Sequence, residues 1–289
     1  MSAPLLLADV PWLLYRAFFA LPRSIDDGRG HPVNALLGTV NALLSAAQAR
    51  PPRAVAACLG AEQAAYRVEL YPPYHAHRDP MPAELAWQWR RAPELLAALG
   101  WAVDSSEDLE ADDVIFSHAR HEAAGGGRAL LVTGDRDLFQ AVSASVAILE
   151  LARDGGATEI GPREVRARYG IGPELVPDFI ALRGDPSDGL PGAPGIGAKT
   201  AAELLRRHGS LEGALAAVRT APASCGERPR VVAALGENAE QLLAFKRIAT
   251  LVEIDLPLPP DRPTDHSGGA AAARALGMRR LAERLEQLA

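Results

Sequence analysis

Four short apolar runs mark the first half of the chain: Leu5–Ala8, Ala54–Leu59, Ala129–Thr133 and Val146–Leu151. Runs of this length with turn residues after them read as buried strands. Between them, Val33–Ala49, Glu94–Leu99 and Ala111–Ala124 carry helical patterns. Strands alternating with helices predict an α/β fold, a mostly parallel sheet covered by helices on both faces. Three of the runs end in a polar turn, at Asp9, at Gly60 and at "GDRD", Gly134–Asp137. Ligands of open α/β sheets lie beyond the carboxyl ends of the strands, so Asp9, Asp135 and Asp137 are expected to share one crevice.

From about Gly161 the texture changes to short helices split by Gly and Pro turns, which predicts two regions, 1–160 and 161–289. "PELVPDFIALRG" and "AKTAAELLRRHG" read as one helix each, the second closed by Gly209 as C-cap. "SLEGALAAV" and "NAEQLLAFKRIATLV" follow, with "TAPASCGERPR" as a loop between them. The segment "EIDLPLPPDRPTDHSGGA" reads as extended, and Ala270–Leu288 as a single closing amphipathic helix.

Composition narrows the setting. Of 289 residues, 48% are hydrophobic, enough for a globular core. Two cysteines, Cys58 and Cys225, make no disulfide or metal framework and point to a reducing cytoplasm. The apolar N-terminus has no basic stretch and is interrupted by Asp9 and Arg16, so neither a secretory signal nor a membrane span is expected.

The stretch "GDPSDGLPGAPGIGAKTAAELL", Gly184–Leu205, looks at first like a phosphate loop of the form G-x-x-x-x-G-K-[ST]. Ala198 intervenes between Gly197 and Lys199, and one extra residue turns the Lys by about 100° on a helix. No strongly apolar strand leads into it, so an ATP site is not expected.

Acidic residues carry the remaining chemistry. Asp9; Glu110, Asp112 and Asp113 in "LEADDVI"; Asp135 and Asp137 in "LLVTGDRDLFQ"; and Asp185 and Asp188 make eight acids in four clusters. Each cluster alone has a plainer reading as helix caps or turn acids. Gathered in one place they would repel one another and take up protons unless hard divalent cations were present. Mg²⁺ and Mn²⁺ favour oxygen ligands, and a pair of such ions about 4 Å apart suits phosphodiester hydrolysis. The net charge of −6 becomes +2 when these eight negative charges are set aside, so the acidic total does not exclude DNA.

In this arrangement the chain resembles the 5′-nuclease family: the flap endonucleases and the N-terminal 5′→3′ exonuclease domain of bacterial DNA polymerase I. The resemblance runs from "LLLADVPWLLYRAFFALP" through "YRVELYPPYHAHRDPMPAEL", "LEADDVI", "LLVTGDRDLFQ" and "ALRGDPSDGLPGAPGIGAKTAAELL" to "LVEIDLPLP", in the family's order. It implies a PIN-like core with a helical arch at about 72–96, followed by a helical region containing a helix–three-turn–helix at about 175–206. It implies Mg²⁺ or Mn²⁺ held mainly by Asp9, Glu110, Asp112 and Asp113 at one place and Asp135, Asp137, Asp185 and Asp188 at another. K⁺ is implied at the glycine hairpin. Arg67, Asp9, Asp113 and Asp135 are the implied catalytic residues, with Arg67 near the scissile phosphate. Tyr74, His75, Arg78, Gly195, Gly197, Lys199 and Thr200 are the implied DNA contacts, and Trp87 and Trp89 either stack on unpaired bases or pack the arch. The implied partners are branched or nicked DNA with 5′ flaps, and RNA–DNA hybrids, bound by a monomer.

The sequence departs from the family at three places. Gly60 stands where an Asp ends the second strand, His75 stands in a Lys position at the arch base, and Gly189 stands where Asn is commoner. The missing acid at Gly60 leaves open a non-catalytic branched-DNA-binding protein, and the PIN-like fold leaves open a ribonuclease. The missing acid also carries the expectation that cleavage favours Mn²⁺ over Mg²⁺ more than usual and that Gly60→Asp changes the Mg²⁺ dependence.

Overall fold

The computed structural model describes residues 3–152 and 156–289. They contain a sheet of strands β1 (Leu5–Asp9), β2 (Ala54–Leu59), β3 (Ala102–Ser105), β4 (Ala129–Val132), β5 (Val146–Leu151) and β6 (Ala157–Ile160). Their spatial order is β3-β2-β1-β4-β5-β6, with β1 to β5 parallel and β6 antiparallel to β5. All four apolar runs are strands. Strands β3 and β6 escaped that pattern because each lies at a sheet edge, is only partly covered, and mixes polar with apolar residues.

Alternation along the central strands builds two cores. Leu5, Leu7, Cys58 and Leu131 face the layer that includes helix Ala111–Ala124, and Leu6, Val55 and Leu130 face that of helices Val10–Ala20 and Asn34–Ala49. Strand β1 has β2 on one side and β4 on the other, so the connections diverge where β1 and β4 meet. That is the switch point at which such sheets open a crevice.

The segment 72–96 expected as an arch divides in two. Residues 83–98 form helices Ala83–Trp89 and Ala92–Ala98, with Leu85, Gln88, Leu95 and Leu96 buried in the body. Gln88 explains part of this packing. Its Oε1 accepts from the backbone N–H groups of Ala35 (2.7 Å) and Leu36 (3.2 Å), supplying the cap that Val33 lacks for helix Asn34–Ala49. The turn-rich segment of about 71–82 lies beside the acids, Tyr74 on Glu110 and His75 and Arg78 on Asp188. The Trp87 ring stacks on His31 at 4.8 Å and is covered by the Arg91 guanidinium at 3.7 Å, so it packs rather than offering itself to a base.

In the second half, helices Val176–Arg183 and Ala198–His208 flank the glycine-rich turn, and helices Leu211–Thr220, Pro229–Glu237 and Ala239–Ala249 complete the bundle. The chain then returns to the first half. Residues 250–265 run extended over it, Arg53 donating to Pro259 O (2.8 Å) and the Asp265 N–H to Leu99 O (2.8 Å). The single closing helix expected at Ala270–Leu288 is two, His266–Ala275 and Arg279–Glu286. Gly277 makes the break: its φ is 74°, and a Cβ there would lie 2.6 Å from the Asp27 backbone. Ala273, Leu281 and Leu285 join Leu95, Leu99 and Trp101 in the first half's core.

Candidate active site

The carboxyl end of β1 sets the first acid. Asp9 caps helix Val10–Ala20, its Oδ1 accepting from Trp12 N–H (3.0 Å) and its Oδ2 from the Thr133 hydroxyl (2.6 Å). Thr133 Oγ1 accepts in turn from Asp135 N–H (2.9 Å), and Asp135 Oδ1 accepts from Asp137 N–H (2.9 Å). Gly134 lets the Trp12 ring lie against this turn, since a Cβ there would meet the indole at 2.2 Å. One hydrogen-bonded chain therefore fixes the acids after β1 to those after β4.

Asp112 enters from the first turn of helix Ala111–Ala124. Burial, and then the charge of Asp135, pushes the Asp9 carboxyl up to about 7. Asp112 is raised well above the carboxylate range by desolvation and then by Asp135, Asp9, Glu110 and Asp137. Asp137 is raised in the same way by desolvation, then Asp135, Asp188 and Asp185. Asp135 is also raised, burial leading and the charges of Asp188 and Asp185 adding to it. Asp112, Asp135 and Asp137 are mostly covered, and each senses the charges of other acids.

The other four acids have resident partners. Glu110 meets the Arg67 guanidinium (2.9 Å) and accepts from the Tyr74 hydroxyl (3.1 Å) and Ala64 N–H (2.9 Å). Asp113 is fully buried: its Oδ1 takes Arg67 (2.9 Å) and Val252 N–H (2.8 Å), and its Oδ2 takes Glu110 N–H (3.2 Å) in a capping box. Asp188 Oδ1 meets His75 Nε2 (3.0 Å) and Arg78 (2.9 Å). Burial raises Asp188, but His75 and Arg78 outweigh it and hold the carboxyl below its usual range. Asp185 accepts from the Ser187 N–H (2.8 Å) and hydroxyl, with Arg183 at 3.6 Å.

The expected contact residues lie at different depths. Arg67 is 3% exposed, with Nε donating to Ile248 O (3.0 Å), and in this structure it braces Glu110 and Asp113 from inside. Both oxygens of Asp113 are spent inside the fold, which sets it apart from the acids open to the crevice. His75 is buried, stacked on Tyr74 at 3.8 Å and turned toward Asp188, with a φ of 57°. Tyr74 is likewise buried and bound to Glu110. Arg78 keeps a side chain 47% exposed and is the member of the 71–82 segment's contact set that reaches solvent.

Gly60 is a packing requirement. A Cβ there would lie 2.5 Å from Leu109 O, from the Glu110 carbonyl carbon and from Ala111 N, and Ala61 N–H donates to Leu109 O at 2.9 Å. The end of β2 presses directly on the backbone that presents Glu110 and Asp112, leaving no room for the expected carboxylate.

Thr133 and Gln140 were not legible as site residues. Gln140 donates to Asp137 O (2.9 Å) and Ala249 O (2.8 Å) and accepts from Leu251 N–H (3.0 Å), tying the acid turn to the helical half. Nothing in the sequence signals a partner more than a hundred positions away.

The glycine hairpin is built as a turn between Val176–Arg183 and Ala198–His208. Gly184, Gly189, Gly192 and Gly195 all have positive φ, and Ala193 N–H donates to Leu182 O (2.9 Å) while Leu190 and Ile196 are buried beneath. Gly195, Gly197 and Lys199 are exposed, and the first N–H groups of helix Ala198–His208 have no side-chain cap. Arg228 lies 3.5 Å from the Thr200 hydroxyl.

An acid-lined crevice at a sheet's switch point, joined to a helical half with an exposed glycine hairpin, defines a PIN-like domain followed by a SAM-like one. Residues 4–170 match the 5′-3′ exonuclease N-terminal resolvase-like domain, and residues 171–265 match the 5′-3′ exonuclease C-terminal SAM fold. The chain belongs to the 5′-3′ exonuclease family.

It is 37% identical over 287 residues to a 5′-3′ exonuclease of Mycobacterium tuberculosis, covering 91% of this chain and 89% of that one. It is 38% identical over 257 residues to DNA polymerase I of Mycobacterium bovis, covering 88% of this chain but 28% of the polymerase. Among solved structures it is similar to the T5 D15 protein co-crystallised with metal ions, with a TM-score of 0.69, 16% identity, and 98% and 97% of the two chains covered. The catalytic core of Rad2 in complex with a DNA substrate gives a TM-score of 0.64 at 11% identity, covering 99% and 91%. These two similarities concern the fold.

Among the described residues, no three His, Cys, Asp or Glu side chains form a group that could already hold a metal ion, and no helix is long and apolar enough to cross a membrane.

Proposed function

We propose that this chain is a divalent-cation-dependent, structure-specific 5′-nuclease acting on 5′ flaps and nicked DNA. The observation that carries the reading is the state of Asp9, Asp112, Asp135 and Asp137. All four are pushed toward protonation, first by burial and then by neighbouring acids (Asp135 by Asp188 and Asp185), and the region's ion pairs among the described residues fall on the other four acids. An oxygen-only donor set under mutual repulsion fits Mg²⁺ or Mn²⁺ rather than a softer metal. Asp9, Glu110 and Asp112 would hold one ion, and Asp135 and Asp137, with Asp185 and Asp188 on the far wall, the other. Bound there, such ions supply the positive charge that a phosphodiester needs as negative charge builds on its oxygens.

The chain's own residues do the rest. Thr133 and Trp12 N–H aim Asp9, and the Asp135–Asp137 hydrogen bond fixes the opposite pair. Arg67 holds Glu110 and Asp113 in place from behind. Gly195, Gly197, Lys199 and the uncapped start of helix Ala198–His208 offer N–H groups and charge to a duplex backbone, with Thr200 beside them. Arg78 is the solvent-reaching cation that would meet the strand near Asp188. The seven acids that accompany Asp9 speak against a non-catalytic binding protein, while packing accounts for Gly60.

The test compares a 5′-flap DNA, a single-stranded RNA and a plain duplex under single-turnover conditions with Mg²⁺, Mn²⁺ or chelator. Cleavage confined to the flap and requiring metal is expected. Metal-independent cleavage, or preference for the RNA, would refute the proposal.

A further inference from the structure

Helix Val10–Ala20, which starts at Asp9, carries a second pattern. Trp12, Tyr15, Arg16 and Phe19 recur at helical spacing on its outer side, opposite the buried Leu13, Leu14, Ala17 and Phe18. Phe19 is 68% exposed and is the sole aromatic among the exposed large hydrophobic side chains of the described residues. It is not a loose tip: its ring stacks with Tyr15 (6.4 Å, 27°) and meets Phe18 edge-on (5.2 Å). Tyr15 also takes the edge of Trp89 at 6.3 Å.

The result is a supported aromatic ledge with one outer face left uncovered. A contiguous aromatic face bordered by a cation is a surface that suits a flat, negatively charged ligand.

Charge and position select the ligand. Arg16 lies over the Trp12 ring at 5.4 Å, is exposed, and has no ion pair among the described residues. Arg23 lies over Phe18 at 4.8 Å and is paired with Glu84 at 2.9 Å, so Arg16 is the ledge's free cation among the described residues. Arginines interleaved with aromatic faces suit unpaired nucleotides, whose bases stack while their phosphates meet the cations. Trp12, packed on Gly134, joins the ledge to the acid turn after β4, and Tyr15 lies within reach of the charges of Glu62 and Arg78. Phe19 follows Asp9 by ten positions, roughly 15 Å along the helix at ~1.5 Å per residue. That is too far to touch the reacting phosphate and suits a nucleotide farther along the unpaired strand.

We infer that Phe19, backed by Tyr15 and flanked by Arg16, is a stacking subsite for a base in the unpaired 5′ tail, remote from the bond that is cut. The inference rests on the 5′-nuclease reading, and the experiment separates the two. Binding in chelator is measured for a 5′-flap DNA and for the same nicked duplex without a tail, with the wild type, Phe19→Ala and Phe19→Trp. Phe19→Ala is expected to weaken binding of the tailed DNA about tenfold, within the range for loss of one stacked base. Binding of the tailless DNA is unchanged, and Phe19→Trp restores the tailed binding. Abasic sites walked along the tail should reproduce the loss at one position in the wild type and add nothing in Phe19→Ala.

Equal binding of the flap by wild type and Phe19→Ala, in a protein that still cleaves flaps with Mg²⁺ or Mn²⁺, overturns the ledge alone. So does a wild-type dimer, seen by light scattering, that Phe19→Ala dissolves. A wild type that cleaves no flap overturns both readings.

Discussion

The eight acids divide into two groups that differ in who neutralises them. Glu110, Asp113, Asp185 and Asp188 have Arg67, His75, Arg78, Arg183 or backbone N–H groups as partners. Asp9, Asp112, Asp135 and Asp137 have hydrogen bonds at most, and burial with the charges of neighbouring acids raises all four; burial raises Asp113 as well, but there Arg67 and Val252 N–H pull the other way. Sequence treats all eight alike, as short acidic motifs. The difference teaches that acid count is not site count: a paired, buried carboxylate braces the fold, while an unpaired cluster stores repulsion that an incoming cation relieves.

The largest effect expected from this division is on cleavage. Asp137→Asn keeps the shape but removes a charge from the unpaired group, so single-turnover flap cleavage should fall by orders of magnitude while flap binding in chelator holds or improves. A near wild-type rate would place Asp137 outside the metal-holding set.

Next comes the brace. Arg67→Ala leaves Glu110 and Asp113 facing each other without their cation, which should cost about 3–5 kcal/mol in chemical denaturation. If Arg67 served the phosphate instead, stability would hold and DNA affinity alone would drop.

Gly60→Asp is smaller. The new side chain must displace backbone at Leu109–Ala111, so a loss of about 1–3 kcal/mol is expected, as for overpacking. The Mg²⁺ concentration needed for cleavage should rise or stay the same. A lowered requirement would show that the segment yields and that the acid can be restored.

The smallest effect belongs to His75. Since its ring faces Asp188, His75→Lys should leave the salt dependence of flap binding unchanged. A phosphate contact would instead steepen the log–log slope by about 0.9.

The central strands and most helices were legible because their apolar patterns reflect burial on both faces or on one, as in Leu5–Asp9 and Ala111–Ala124. The crevice was legible because acids at strand ends converge in any such sheet. Three features were not. Edge strands β3 and β6 lack a continuous apolar run. The packing of Ala83–Trp89 depends on Gln88 reaching the N–H groups of Ala35 and Leu36, a contact across more than fifty positions. The sorting of acids into paired and unpaired depends on Arg67 and His75 turning inward, and spacing along the chain does not encode that direction.

The division itself is tested most directly by thermal unfolding of wild type and Asp137→Asn, without metal and with Mn²⁺, across pH 4 to 8. The Asp9 carboxyl is pushed up to about 7 in the folded state from an ordinary value of 3.8, so the metal-free folded state binds more protons than the unfolded chain between them. Its contribution to stability therefore falls as pH rises through that window, and the raised acids around it act in the same sense. The account predicts that wild type loses stability from pH 4 toward pH 7 in chelator and regains it with Mn²⁺ at pH 8. It predicts that Asp137→Asn is more stable than wild type in chelator at pH 8 and gains less from the metal. A variant less stable than wild type in chelator, with an undiminished gain from Mn²⁺, would contradict it.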